Sequence, residues 1–457
     1  MKMKKTPAQP PTPAQVRKLF WQLARLAAIV GPPGYYERLW TPLLTLWYFI
    51  WQWLQPQHTL EAVVTDARRG GADRLAPRLS HRIKSRATTS YCQARQRLPL
   101  AWMQACFLTL GQQLRGLAAR PTPALPIELL DGSTKRLRPY GDIPQAFPPH
   151  RTRRRRNYWC VARVLVSFCA TTGLAMGAQI ASLHVSEQAL AVQLMLARAQ
   201  AVLYVGDRNF GVWRVVRAAR QSGSHILVRL TQVRARRLLG KKRLPAWVDR
   251  ARQWQPSAHD QVDPGLHQEP VAGRLIIVRT RRPGWRPQTL YLFTTLTDSQ
   301  AYPPARLLEI YGWRWQVELN FRTVKATMAM DQSETKSADL VRKEFYAGLM
   351  AYNLVRGLMT AAAGQTDVSP SQLSFAKVQL LLAVVILELG RDTLSRPACD
   401  QRLDWLLTEA AAARLPRRAK PRQNEPRAQY YEPQVFPKMR GSRAEARRAL
   451  KKSAPKN

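Results

Sequence analysis

The sequence predicts an α/β protein: a core of strands and helices that carries a β-rich insertion, flanked by a helical N-terminal domain and a helical, basic C-terminal region. Three observations predict it. Aliphatic and tryptophan residues recur at helical spacing through the first 118 residues. At PTPALPIELLDGST the texture changes to short apolar runs of β character that alternate with helix. Helical periodicity then returns at Pro304 and gives way, from Arg414 onward, to a stretch rich in Pro, Lys and Arg.

Taken in order, residues 14–30, 36–54 and 90–118 read as helices and define an N-terminal domain over 1–118. A first part of the core follows over 119–230. It has a short β-type run that ends in Asp131, further runs at 158–169, 173–183 and 201–206, a helix at 209–222 and a strand at 225–230. Residues 231–299 break this pattern with basic clusters, scattered prolines and two strand-like stretches, Arg274 to Thr280 and Thr289 to Leu296, and are read as the inserted β-rich subdomain. The second part of the core, 300–365, carries helices at 304–328 and 340–363. A helix at 371–390 and the basic tail complete the C-terminal region, 366–457.

Charge narrows the partner. Lys and Arg total 72 against 29 Asp and Glu, a net +43 distributed along the chain, and a protein of this size tolerates such repulsion when its charges neutralise phosphates. Nucleic acid is the leading partner, and the Arg-rich stretch from Arg68 to Arg97 reads either as a solvated face or as a DNA-facing surface of the N-terminal domain. With 46% hydrophobic residues the chain builds a real core and is not a disordered basic protein. Its five cysteines form no CxxC pair, so the sequence supports neither a zinc ribbon nor a disulfide framework and fits a reducing cytoplasm. The longest apolar runs, Leu43 to Leu54 and Leu380 to Leu389, fall short of the roughly 20 residues that span a bilayer, so no membrane partner is expected.

The segment YGWRWQVELNFRTVK carries the most chemistry. Tyr311, Arg314, Glu318 and Lys325 lie at offsets that, on one continuous helix at about 100° per residue, fall within about 60° of one another. Alone, such a stripe reads as a surface row of helical ion pairs. Phosphodiester chemistry with divalent metal instead requires several carboxylates converging on one point. Asp131 in ELLDGST and Asp207 in LYVGDRNFG each follow a strand-like run and would project from the same edge of a sheet; alone, the first reads as a turn residue and the second as a helix cap. The run RTRRRRN, with Arg153, Arg154 and Arg155, is a candidate phosphate contact or a charged loop.

In this order, DGST, VGDRNFG and the ungapped Tyr-x2-Arg-x3-Glu-x6-Lys spacing resemble the DDE transposases of bacterial insertion sequences, and most nearly the insertion-sequence-four family. The resemblance covers roughly residues 90 to 350 and takes in SYCQARQRLP from Ser90. It implies a ribonuclease-H-like core whose β-rich insertion lies between the second aspartate and the glutamate. It implies two Mg²⁺ (or Mn²⁺) ions held by Asp131, Asp207 and Glu318, and phosphates near the cut end gripped by Tyr311, Arg314 and Lys325. Water attack would nick the transposon end, and the freed 3′-hydroxyl would drive strand transfer. The implied partners are double-stranded DNA, the terminal inverted repeats and target DNA, met by a dimer in the cytoplasm at the nucleoid.

One departure concerns the strand TLYLFTTL, which lacks the tryptophan that hairpin-forming relatives stack on a flipped base; Tyr291 and Trp285 are the candidate substitutes, and the resemblance leaves a hairpin step open. Two rival readings stand beside the transposase: a host-adopted nuclease of the same fold and a non-catalytic DNA-binding protein. The carboxylate set argues against the second, because three acids would only weaken phosphate binding.

Overall fold

The computed structural model describes residues 30–34, 39–55, 58–118, 125–152, 155–258, 260, 265–280, 288–366 and 368–416, with a few isolated positions nearer the termini. Among these residues the chain is a mixed α/β protein built on a central, mostly antiparallel sheet.

Five helices come first: α1 (Pro42–Leu54), α2 (Leu60–Arg68), α3 (Leu79–Arg82), α4 (Thr89–Arg97) and α5 (Leu100–Arg115). Thr41 starts α1, its side chain accepting from Leu44 N–H, and Pro42 fills the first turn where no donor is needed. The single helix expected over 90–118 is split in two by Leu98 and Pro99, because proline excludes the residue before it from helical geometry. The helix expected over 14–30 and the basic tail beyond residue 416 lie outside the described residues, a few isolated positions apart.

The core alternates strand and helix: β1 (Ile127–Leu137), α6 (Ile143–Ala146), β2 (Pro149–Thr152), β3 (Arg155–Cys169), β4 (Ala175–Ser182), α7 (Glu187–Leu196), β5 (Leu203–Gly206), α8 (Trp213–Gln221) and β6 (His225–Arg229). Then come α9 (Gln232–Leu239), β7 (Val248–Trp254), β8 (Val271–Thr280), β9 (Gln288–Thr294), α10 (Pro304–Gly312), α11 (Trp315–Arg322), a π-helical turn (Thr323–Thr327) and β10 (Gln332–Ser333). Three helices close the described chain: α12 (Ala338–Gly364), α13 (Phe375–Gly390) and α14 (Arg396–Ala412).

The strands join in one sheet in the order β2-β3-β1-β5-β6-β9-β8-β7, with β4 beside β3 and β10 beside β1. β1, β5 and β6 run parallel at its centre, flanked by antiparallel β3 and β9, while the two-residue β10 runs parallel to β1. The stretch expected as a β-rich insertion supplies β7, β8 and β9, which extend this same sheet from β6. It also contains α9, hidden in the sequence by the charge of RARR but bounded by the Thr231 cap and by Gly240 at φ 70°.

Side chains alternate across the sheet, and helices cover both faces. Leu129, Val166, Val205 and Leu227 face the larger core, with α1, α5, α12, α13 and α14. Leu130, Leu165, Tyr204 and Val228 face the other, with α7 and α8. The 27-residue α12 is buried along nearly its whole length because it packs at once on α1, α5, α13, α14 and β4.

Two buried polar groups of β1 pin the sheet, one on each face. Glu128, on the face of the second core, accepts from Ser167 Oγ at 2.8 Å and pairs with Arg198. Fully buried Lys135 donates to the carbonyls of Met330 and Gln332, each at 3.0 Å, and its ammonium lies over the Trp53 ring. Lys135 thereby ties β1 to the chain that leaves the π turn through Ala329, a non-glycine residue at φ 51°.

Candidate active site

The site begins with strand register. Leu130 of β1 is the partner of Gly206 of β5, so the next residues, Asp131 and Asp207, stand side by side on parallel neighbours. The expectation that β1 ends at Asp131 is corrected. The strand runs on to Leu137, and Asp131 pairs within it to Val166, because antiparallel β3 extends well past this point and keeps the ladder going. Asp207 is the first residue beyond β5, where pairing with β6 stops.

Each aspartate is held by backbone. Gly132 N–H donates to Asp131 Oδ1 at 2.9 Å, and Asn209 N–H donates to Asp207 Oδ1 at 2.8 Å. Burial pushes the Asp131 carboxyl up to about 6; the charges of Asp207 and Glu187 push the same way, while the Gly132 hydrogen bond and Arg314 oppose.

The glutamate arrives on α11, which packs directly across β1. Val317 and Phe321 anchor this helix in the larger core and leave Glu318 at 41% side-chain exposure. The single helix expected over 304–328 is corrected in two places. α10 ends at Gly312, and α11 restarts at Trp315 after a turn at Trp313 and Arg314. Residues Thr323–Thr327 then widen into a π turn, whose i→i+5 bonding takes Lys325 off the regular 100° progression. Tyr311, Arg314, Glu318 and Lys325 thus share a segment but not one straight stripe.

Tyr311 is 8% exposed within the larger core, and burial raises its phenol pKa. Arg314 is the hub of the group. It donates from Nη2 to Glu318 Oε1 at 3.0 Å, bonds the Tyr311 phenol and adds the positive charge that Asp131 feels. Arg153 and Arg154 lie outside the described residues, as does the side chain of Arg155, and so does Trp285. Tyr291 is half-buried on β9 and packs against the second core.

Glu187 and Asn209 were not singled out by sequence reasoning. Ser186-Glu187 is a readable cap, with Ser186 Oγ accepting from Ala189 N–H, and Asp-x-Asn is a readable turn. Only the fold brings the two together: Asn209 Nδ2 donates to Glu187 Oε2 at 2.6 Å.

The oxygen-only donors Asp131, Asp207 and Glu318 are of the kind that suits a hard divalent cation. Glu318 is engaged by Arg314 instead, and among the described residues no three His, Cys, Asp or Glu side chains are gathered closely enough to hold a metal ion. No helix among them is long and apolar enough to cross a membrane.

Known proteins resemble the chain over these elements. The family model described as Transposase DDE domain matches residues 125–354, the span that holds Asp131, Asp207 and the Arg314–Glu318 pair. Transposase InsG for insertion sequence element IS4 of Escherichia coli (strain K12) is 26% identical over 306 residues. That match covers 64% of this chain, and the chain spans 65% of that relative's length, just under two thirds. A cryo-EM structure of the piggyBac transposase synaptic complex with hairpin DNA is similar over 86% of this chain and 84% of that one, at 11% identity and a TM-score of 0.37.

Proposed function

The chain belongs to the transposase DDE-domain family, and from that premise we propose that it is a DNA transposase of the insertion-sequence-four type, acting by metal-dependent nicking and strand transfer at transposon ends. The observation that carries this reading is that Asp131 and Asp207 directly follow the paired residues Leu130 and Gly206 of two parallel strands, with Arg314 and Glu318 brought to β1 by α11 and the turn before it. The parallel β1-β5-β6 centre with antiparallel β3 and β4 beside it supports a ribonuclease-H-like core, into which residues 231–299 insert.

In this reading Asp131, Asp207 and Glu318 are the catalytic carboxylates and would together hold two Mg²⁺ (or Mn²⁺) ions. Bound divalent metal there supplies an activated attacking oxygen and a stabilised leaving oxygen. Arg314 holds Glu318 and balances Asp131 while the carboxylates carry no metal, and its planar fork of donors is suited to a phosphate at the cleaved end. Lys325 and the Arg153–Arg155 run add point charges for the backbone of the same duplex, and buried Tyr311 orients Arg314. The net +43 draws in double-stranded DNA, both the terminal inverted repeats and the target. A dimer acting at the nucleoid in the cytoplasm completes the proposal.

The test is a nicking assay on DNA that carries the element's own terminal repeat, with Mg²⁺. Asp207→Asn preserves shape and removes charge, so nicking should vanish while DNA affinity holds level or rises. A variant that still nicks would leave a basic DNA-binding protein as the better description.

A further inference from the structure

We propose that Glu187 and Gln188, in the first turn of α7, position the Asp207 carboxylate through Asn209; this rests on the transposase reading above.

Asn209 is gripped from two directions by a helix that starts about twenty residues earlier. Its side-chain amide donates to Glu187 Oε2 at 2.6 Å, and its carbonyl accepts from Gln188 Nε2 at 2.9 Å. With side chain and carbonyl both fixed, its own N–H is aimed at Asp207 Oδ1, 2.8 Å away. An Asp-x-Asn turn can make that last bond locally. What the turn cannot supply is a hold on its own orientation, because the loop between β5 and α8 exposes both Arg208 and Asn209.

Glu187 reaches this place only because Gly132 has no side chain. A Cβ on Gly132 would lie 2.5 Å from Glu187 Cδ, so the glutamate occupies the space next to Asp131 on the face opposite α11. One side chain thus spans the two aspartate-bearing strands, touching β1 beside Asp131 and holding the loop that carries Asp207. The helix behind it is firmly seated: Ser186 caps it, and Leu190, Ala191, Leu194 and Met195 are buried in the second core. The loop therefore inherits the rigidity of α7. Partners of this kind, one bond removed from a carboxylate that works on a metal, set its orientation and typically change metal affinity or activity by about 10- to 100-fold when removed.

The experiment uses the full chain, with two readouts: Mn²⁺ binding without DNA, followed by the electron paramagnetic resonance of free Mn²⁺, and kcat and KM for nicking terminal-repeat DNA in Mg²⁺. Glu187→Ala and Asn209→Ala should each weaken Mn²⁺ binding and lower kcat by roughly 10-fold or more, with KM for DNA unchanged. Glu187→Gln, which keeps an oxygen that accepts from Asn209, should recover most of both. Gln188→Ala, which leaves the charges untouched, should show a smaller loss in the same direction. Loss in Glu187→Gln equal to that in Glu187→Ala, or normal Mn²⁺ binding and kcat in both alanine variants, would overturn the inference. Asp207→Asn, assayed in parallel, separates the two failures: if it still nicks DNA the transposase site itself is wrong, whereas if it is dead and the Glu187 variants are normal only the positioning role is lost.

Discussion

Arg314 reaches one turn along its segment to Glu318, Nη2 to Oε1 at 3.0 Å, while its charge also bears on Asp131, a residue of β1 that lies 183 positions earlier. A surface ion pair on a helix would have no such second acquaintance. The two descriptions of Arg314, helix stabiliser and site residue, predict different behaviour.

As an i,i+4 pair with Glu318 41% exposed, the bond contributes about 0.3–0.5 kcal/mol to stability. Arg314→Ala should therefore leave the thermal midpoint nearly unchanged, measured by circular dichroism, yet lower nicking by at least about 10-fold. A large loss of stability with normal nicking would return Arg314 to a structural role.

Asp131 should make the metal-free protein sensitive to pH. Its carboxyl is raised in the folded state to about 6, mainly by burial, so folding favours the protonated form. The associated stability is fully present below about pH 4 and is lost as pH rises through about 6. Asp131→Asn removes this dependence and should stabilise the metal-free protein at pH 7 by up to roughly 2–3 kcal/mol while abolishing nicking. Urea denaturation at pH 4 and pH 7 measures both; an asparagine variant no more stable than the parent at pH 7 contradicts the burial argument.

Lys135 is a structural prediction away from the chemistry. Its ammonium has two carbonyl partners and the Trp53 ring, all lost in Lys135→Met. Two charge-assisted bonds at about 1.5–3 kcal/mol each are exchanged for an apolar fit, so the variant should lose on the order of 2 kcal/mol and expose the 330–332 segment to faster amide exchange. Unchanged exchange there would show that β10 pairing alone holds the segment.

DNA binding should weaken steeply with salt. If the net +43 engages on the order of six or more phosphates, the log–log slope of affinity against salt is about −5 or steeper. A nearly flat slope in a filter-binding titration would contradict a charge-led interface.

The parts legible in the sequence are those governed by local rules. Leu203–Gly206 followed by Asp207 reads as a strand end because apolar residues stop at a Gly-Asp, and α12 reads as a helix because its 27 residues are almost free of breakers. The Asp131 strand reads as shorter than it is for the same reason: Asp-Gly is a turn signal, and only the reach of β3 overrides it. The π turn at Thr323–Thr327 has no composition of its own, so the placing of Lys325 could not be read from spacing. Glu187 was invisible because its partner Asn209 is 22 positions away and the gap at Gly132 that admits it is a property of packing.

The seam between β6 and β9 also says something about how this protein can be trimmed. β6 lies at the centre only because β9, β8 and β7 continue the sheet beyond it. A version joined directly from residue 230 to 300 would turn its apolar Ile226, Leu227 and Val228 into a bare border strand with unpaired amides, a template for sticking to other copies. The insertion is in this sense the core's selvedge: whatever it does with DNA, it keeps the sheet from fraying into aggregates.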